Sequence, residues 1–92
     1  MQRYVWWGRP ARSAIEAMSE SERREYDVIE QFLSESPYPI TGSKHIEPTT
    51  QFGVHGFRYF DDRFPYSIFY RVDEHEIEVM LVLRSATRRT PL

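Results

Sequence analysis

The chain has 92 residues, with 12 basic and 14 acidic side chains and a formal net charge of −2. This length predicts a single domain, residues 1–92, with one modest hydrophobic core. Because cysteine is absent, disulfide bonds and thiolate metal sites are excluded, which fits a reducing cytoplasm. We expect no signal peptide, because the N-terminus shows no basic region followed by an apolar stretch. We expect no membrane segment, because no run approaches the ~20 apolar residues that span a bilayer. The charge balance does not favour an autonomous nucleic-acid binder.

The first third of the chain predicts a strand and two short helices. Residues 3–7 are rich in aromatic side chains and end at a glycine, which indicates a strand. Pro10 suits the first turn of a helix, and apolar residues then recur at helical spacing. These residues are Ala11, Ala14, Ile15 and Met18.

A second helix is predicted to begin at Ser19, because Glu22 three residues later completes a capping box. Its apolar stripe contains Tyr26, Ile29, Phe32 and Leu33, widened by Val28. Pro37 should end it, since the residue before a proline disfavours the helical region. The two helices are therefore predicted to form an antiparallel hairpin that covers one face of a sheet.

The middle of the chain gives a weaker pattern. Residues 37–51 are interrupted by prolines and a glycine, and they predict an irregular loop that contains Lys44 and His45. Residues 52–60 then predict a strand, in which two glycines make bulges plausible.

The last third of the chain predicts a β-hairpin. Residues 64–72 and 77–84 are β-rich runs on either side of a charged turn. With Glu74 and His75 at the centre of the turn, side-chain alternation gives one wholly apolar core face. Its cross-strand pairs are Val72–Ile77, Tyr70–Val79, Ile68–Leu81 and Tyr66–Leu83.

The opposite face of the hairpin is mixed and contains Ser67, Phe69, Arg71, Glu78, Met80, Val82 and Arg84. Arg71 and Glu78 are predicted to form a cross-strand ion pair. The apolar members of this face lead us to expect a partner chain over it, or along the helices. The predicted fold class is α+β: an N-terminal strand, an antiparallel helical hairpin, then a three-stranded antiparallel β-sheet.

Sequence motifs for cofactor or metal chemistry are absent. Histidines 45, 55 and 75 lack metal-ligand spacing, and there is no glycine-rich phosphate loop or nucleophile elbow. We therefore predict no cofactor and no metal.

The order of elements and the two hairpin strands resemble the RelE/ParE superfamily of bacterial toxins. The similarity is specific over about residues 52–89, and the strands at 64–72 and 77–83 carry it. The resemblance implies a growth-inhibiting toxin of a type II toxin–antitoxin system, neutralised by a cognate antitoxin. It leaves two targets open, the messenger RNA on the ribosome and DNA gyrase.

For the RelE-like branch, the resemblance implies messenger RNA cleavage in the ribosomal A site by basic residues on the sheet. Arg58 matches the second-strand basic position, whereas Phe60 and Ser67 stand where further basic residues are expected. The basic group after the last strand is Arg84, Arg88 or Arg89, and His55 is the nearest proton acceptor. The ParE-like alternative is a protein-binding inhibitor of gyrase. A degenerate toxin that only binds antitoxin is the third hypothesis.

Overall fold

The computed structural model describes residues 2–39 and 45–85. Within them, two helices and a five-stranded sheet are arranged in the strand order β1-β5-β4-β3-β2. The elements are β1 Tyr4–Trp7, α1 Arg9–Glu16, α2 Glu20–Glu35, β2 Ile46–Thr49, a 3-10 turn Gln51–Gly53, β3 Gly56–Asp61, β4 Phe64–Val72 and β5 Glu76–Arg84. β1 is parallel to β5, and the other neighbours are antiparallel.

The α+β class is confirmed, but the prediction of a three-stranded sheet is wrong. β1 joins the sheet beside β5, and β2 lies inside the segment that was predicted to be irregular. β2 has four residues and contains Pro48, so it lacks a strand pattern of its own. Proline is tolerated there because β2 is an edge strand. Residues 40–44, with Lys44, lie outside the described residues.

The helices begin where the sequence predicts. Pro10 is in the first turn of α1, and both halves of the capping box at α2 are present. The Ser19 hydroxyl accepts from the Glu22 N–H at 3.2 Å, and the Glu22 carboxylate accepts from the Ser19 N–H at 3.1 Å. α2 ends at Glu35, two residues before Pro37.

Both helices pack on one face of the sheet. Their buried residues are Ala11, Ile15, Met18, Tyr26, Ile29 and Leu33, and the sheet contributes Ile46, Tyr59, Phe64, Ile68, Tyr70, Ile77, Val79 and Val82. The predicted stripe of α2 was too wide at Val28, which is exposed. Phe32 is also exposed in part, but its ring still contacts the Tyr59 ring of β3 edge to face. Neither described helix has the length and apolar character that a bilayer crossing requires.

The hairpin of β4 and β5 is confirmed, but its predicted register holds only near the turn. Val72 faces Ile77 and Tyr70 faces Val79, as expected. Phe69 then faces Leu81, so Met80 is an extra residue on β5, a β-bulge.

One extra residue reverses the alternation of side chains beyond it. Ile68 therefore faces Val82, which is buried in the core in place of Leu81. The predicted positions of Leu81 and Leu83 on the helix side are wrong, because both belong to the opposite face.

The predicted ion pair is confirmed: Arg71 and Glu78 face each other across the strands, 2.7 Å apart. Part of the reason for expecting a partner over this face is wrong, and whether a partner covers this face or lies along the helices stays a prediction. Ser67 and Phe69 are already buried within the chain, and the Phe52 ring contacts the Phe69 ring. Val82 lies in the core on the other side.

The predicted strand 52–60 begins later, at Gly56. The preceding 3-10 turn holds Phe52 at φ 57° and Gly53 at φ 76°, a left-handed backbone that no strand continues through. Gly56 lies so close to β4 that a Cβ atom there would overlap the carbonyl oxygen of Tyr70. Glycine at this position lets β3 pair tightly with β4.

Candidate functional site

The sheet face opposite the helices forms a broad, open concavity of about 1040 Å³. β3, β4 and the end of β5 form its floor, and residues 47–52 form one wall. The floor residues are Arg58, Phe60, Ser67, Phe69 and Leu83. They share one face because side chains on a strand alternate, and the bulge at Met80 places Leu83 among them.

Arg58 lines this concavity and makes three contacts. Its Nη1 donates to Glu47 Oε2 at 2.7 Å, and its Nε donates to the Ser67 hydroxyl at 3.3 Å. Its guanidinium lies over the Phe60 ring at 4.5 Å. The contact with Glu47 follows from strand pairing, since Glu47 on β2 is directly opposite Arg58 on β3.

Ser67 connects the strands beneath Arg58. It is buried, and its Oγ lies 3.2 Å from the Ser85 hydroxyl as well as within reach of Arg58 Nε. A buried hydroxyl can accept and donate at once, so Ser67 satisfies both neighbours. The orientation of the Arg58 guanidinium is therefore set by Glu47, Ser67 and Phe60 together.

Arg84 lies at the rim of the concavity and contacts the N-terminus of α2. Its Nη2 donates to the Tyr66 hydroxyl at 3.0 Å and lies 3.6 Å from Glu22 Oε2. The Tyr66 hydroxyl donates to Glu22 Oε1 at 3.1 Å. Burial raises the pKa of Tyr66, with the Glu22 hydrogen bond acting in the same direction. The backbone N–H of Ser19 lowers the pKa of Glu22.

The structure brings together some of the predicted site residues and separates others. Arg58 and Arg84 both line the concavity, whereas His55 is exposed on the link before β3 and does not line it. Arg88 and Arg89 lie outside the described residues. Phe60, at an expected basic position, supports the Arg58 guanidinium instead.

Glu47 is a site residue that the sequence analysis missed. It lies in the segment predicted to be irregular, and its contact with Arg58 depends on pairing between β2 and β3. The sequence signal was weak: buried Ile46 followed by exposed Glu47 is the start of an alternating strand, interrupted at once by Pro48.

The concavity has mixed charge. Among its described residues, Glu47, Asp61 and Asp62 carry carboxylates, and Arg58 and Arg84 carry guanidinium groups. Both guanidinium groups lie beside a carboxylate. No cluster of three metal-ligating side chains is present in the part of the chain that the structure describes. The Glu47–Arg58 pair can accept a proton and stabilise a neighbouring anion.

Known proteins resemble this chain in structure but not in sequence. No family model matches the sequence, and no curated protein is significantly similar to it. The fold matches a chain of the crystal structure of an archaeal RelE–RelB complex from Pyrococcus horikoshii OT3. The TM-score is 0.73 at 15% sequence identity, and the match covers 96% of this chain and 100% of that chain. The expected resemblance is thus confirmed at the level of the fold, and the chain has a RelE-like fold.

Proposed function

We propose that this chain is the toxin of a toxin–antitoxin pair, neutralised by a cognate antitoxin, and that it cleaves messenger RNA on the ribosome. The fold supports the first part, because the matched structure is a RelE–RelB complex. The Glu47–Arg58 contact, whose two residues both line the concavity, supports the second part. A ribosomal target would place the protein in the cytoplasm.

The proposed reaction is attack of a ribose 2′-hydroxyl on the adjacent phosphate. A carboxylate is a proton acceptor, whereas a guanidinium hardly deprotonates, so Glu47 is the general base. Arg58 stabilises the negative charge that develops on the phosphoryl oxygens. The new 2′-oxygen–phosphorus bond forms as the bond to the 5′-oxygen breaks, and the leaving oxygen takes a proton from solvent.

A second function is favoured by the charges of the concavity. The concavity has three carboxylates and two guanidinium groups, and each guanidinium lies beside a carboxylate. A polyanion such as RNA gains little electrostatic binding free energy from such a surface. This balance suits a protein target, as in the ParE-like hypothesis of gyrase inhibition. It also suits a degenerate toxin that only binds its antitoxin.

The experiment is induction in bacterial cells, with primer extension on transcripts and an assay of DNA supercoiling. Under the main proposal, transcripts are cut at ribosome-bound codons, and Glu47→Gln or Arg58→Ala abolishes both cleavage and toxicity. Matched controls are Glu78→Gln and Arg71→Ala, which disrupt an ion pair of the same 2.7 Å length that does not line the concavity. These controls should remain toxic.

The same experiment separates the alternatives. Intact transcripts together with relaxed or broken DNA would reject messenger RNA cleavage and support gyrase inhibition. If neither effect is seen and the protein still binds its antitoxin tightly, the hypothesis of a degenerate toxin that only binds antitoxin is supported. Loss of cleavage in the Glu78 and Arg71 controls as well would show that the Glu47–Arg58 pair has no special role.

A further inference from the structure

Phe52 has a backbone conformation that bulky residues rarely adopt. It lies in the 3-10 turn on the wall of the concavity, with φ 57° and ψ 28°. For a large side chain this left-handed conformation costs free energy, and it persists only where the surrounding structure holds it. Residues with such a backbone conformation cluster at ligand-binding sites.

The turn is fixed at both ends. The Gln51 N–H donates to the Thr49 hydroxyl at 3.1 Å, and the Val54 N–H donates to the Gln51 carbonyl at 3.0 Å. Val54, directly after the turn, is only 1% exposed. The strained conformation of Phe52 is therefore imposed by a well-anchored turn.

This conformation leaves the Phe52 ring largely exposed. The ring meets Phe69 at 5.4 Å and an interplanar angle of 89°, so the two rings touch edge to face. Phe69 is buried, but Phe52 is 65% exposed. Phe60 also lines the concavity, but unlike the Phe52 ring its ring has the Arg58 guanidinium over it.

We propose that Phe52 is a stacking platform for a nucleobase of the RNA, next to the phosphate bound by Arg58. This inference rests on the ribosome-bound messenger RNA target of the proposed function and is independent of cleavage. Binding of single-stranded RNA combines a cation for the backbone with aromatic rings for the bases, and both line the same concavity here. Because every base has a flat π-face, the contact would strengthen binding with little sequence preference.

The test uses ribosomes programmed with a message whose A-site codon is 2′-O-methylated, so that binding is measured without cleavage. Phe52→Leu keeps an apolar side chain on Phe69 but removes the flat ring. Phe52→Tyr keeps the ring and is the matched control. Phe52→Leu should weaken binding by roughly 5- to 150-fold, the range expected for one stacked base, whereas Phe52→Tyr should bind like the wild type.

A third variant distinguishes a loss of binding from a loss of folding. Phe52→Gly removes the ring and also relieves the left-handed strain, so it should melt near the wild-type temperature while binding as weakly as Phe52→Leu. Equal binding by wild type and Phe52→Leu would overturn the inference. So would a Phe52→Leu defect confined to antitoxin capture.

Failure of the inference can be distinguished from failure of the proposed function. Cleavage of unmodified message by the wild type, with an unchanged KM in Phe52→Leu, would reject the platform and retain the nuclease. Binding of the methylated message that depends on Phe52, without cleavage of the unmodified one, would retain the platform and reject the nuclease. Absence of binding by the wild type would reject both.

Discussion

The Tyr26 hydroxyl donates a 2.7 Å hydrogen bond to Glu30 Oε1, one turn further along α2. The same carboxylate oxygen accepts from Trp7 Nε1 at 2.8 Å. The rings of Trp7 and Tyr26 meet edge to face, with centroids 6.0 Å apart. Burial raises the pKa of Tyr26, and the adjacent Glu30 carboxylate raises it further. One carboxylate thus connects β1 to the helix that covers the sheet.

The first prediction concerns this connection. Glu30→Ala leaves the Trp7 and Tyr26 donors without their acceptor, so we expect the free energy of unfolding to fall by about 1–3 kcal/mol. Denaturant unfolding measures this change. Glu25→Ala, an exposed carboxylate on the same helix, is the control and should be nearly neutral. Equal effects of the two substitutions would show that the hydrogen bonds contribute nothing measurable.

The second prediction concerns acid stability. The Ser19 backbone N–H lowers the pKa of Glu22, helped by the Tyr66 hydroxyl and the charge of Arg84. The folded-state pKa is then below that of the unfolded chain, so this stabilisation is present at neutral pH. It is lost as the pH falls through the lowered value.

Glu22→Gln should therefore reduce the melting temperature at pH 7 and flatten its decline between pH 5 and pH 3, a range that contains the ordinary pKa of glutamate, about 4.3, and extends below it. Thermal melts across this range provide the measurement, with Glu16→Gln on the exposed part of α1 as the control. If the melting temperature of Glu22→Gln falls with pH as steeply as that of the wild type, protonation of Glu22 does not cause the loss of stability in acid.

The parts of the fold that local chemistry determines were predictable from the sequence. The capping box at Ser19, the proline in the first turn of α1 and the paired strands near residues 72–77 each act over a few residues. Arg58 and Arg84 were named as candidate site residues through the resemblance to the RelE/ParE superfamily, and both lie on strands that the sequence predicts.

The remaining features depend on contacts between distant residues. Residues 79–83 of β5 are all apolar, so their sequence fits a regular strand and a strand with a bulge at Met80 equally well. β2 exists because β3 offers it hydrogen bonds, and its sequence of Ile, Glu, Pro and Thr is too short to predict a strand. Glu47 was missed with β2, and with it half of the candidate catalytic pair.

The third prediction tests the bulge. Val82 is 4% exposed in the core, whereas Leu81 belongs to the opposite face. Val82→Ala should cost about 2 kcal/mol of stability, and Leu81→Ala less than half of that, although leucine loses more atoms. Ile68→Ala, opposite Val82, should cost ~2–5 kcal/mol. A larger loss of stability for Leu81→Ala than for Val82→Ala would contradict the bulge and support a regular register.

The fourth prediction compares two glycines. A Cβ at Gly56 would overlap the Tyr70 carbonyl oxygen, so Gly56→Ala requires β3 to move away from β4. We expect a loss of about 3 kcal/mol or more. Gly53 has a φ of 76° but nothing near its Cβ position, so Gly53→Ala should cost only ~1–2 kcal/mol of backbone strain. Urea unfolding of both variants checks the order, and a milder effect at Gly56 would contradict the close strand pairing.

The last prediction concerns how Arg58 is positioned. Ser67 accepts from Arg58 Nε but lies beneath it and buried, so Ser67 acts through the arginine. Ser67→Ala removes one of two hydrogen bonds that orient the guanidinium and retains the 2.7 Å contact with Glu47. A hydrogen bond of about 0.5–1.5 kcal/mol corresponds to a fall in kcat of roughly 2- to 10-fold, with KM nearly unchanged.

The measurement is cleavage of programmed ribosomes under saturating conditions. Ser67→Thr keeps the hydroxyl and should restore most of the rate. Ser85→Ala is the matched control, because it removes the other hydroxyl neighbour of Ser67 while leaving Arg58 Nε its acceptor. A kcat that falls equally in the Ser67→Ala and Ser85→Ala variants would assign Ser67 to packing of the strand ends. A fall only in Ser67→Ala, reversed by threonine, would assign it to the orientation of Arg58.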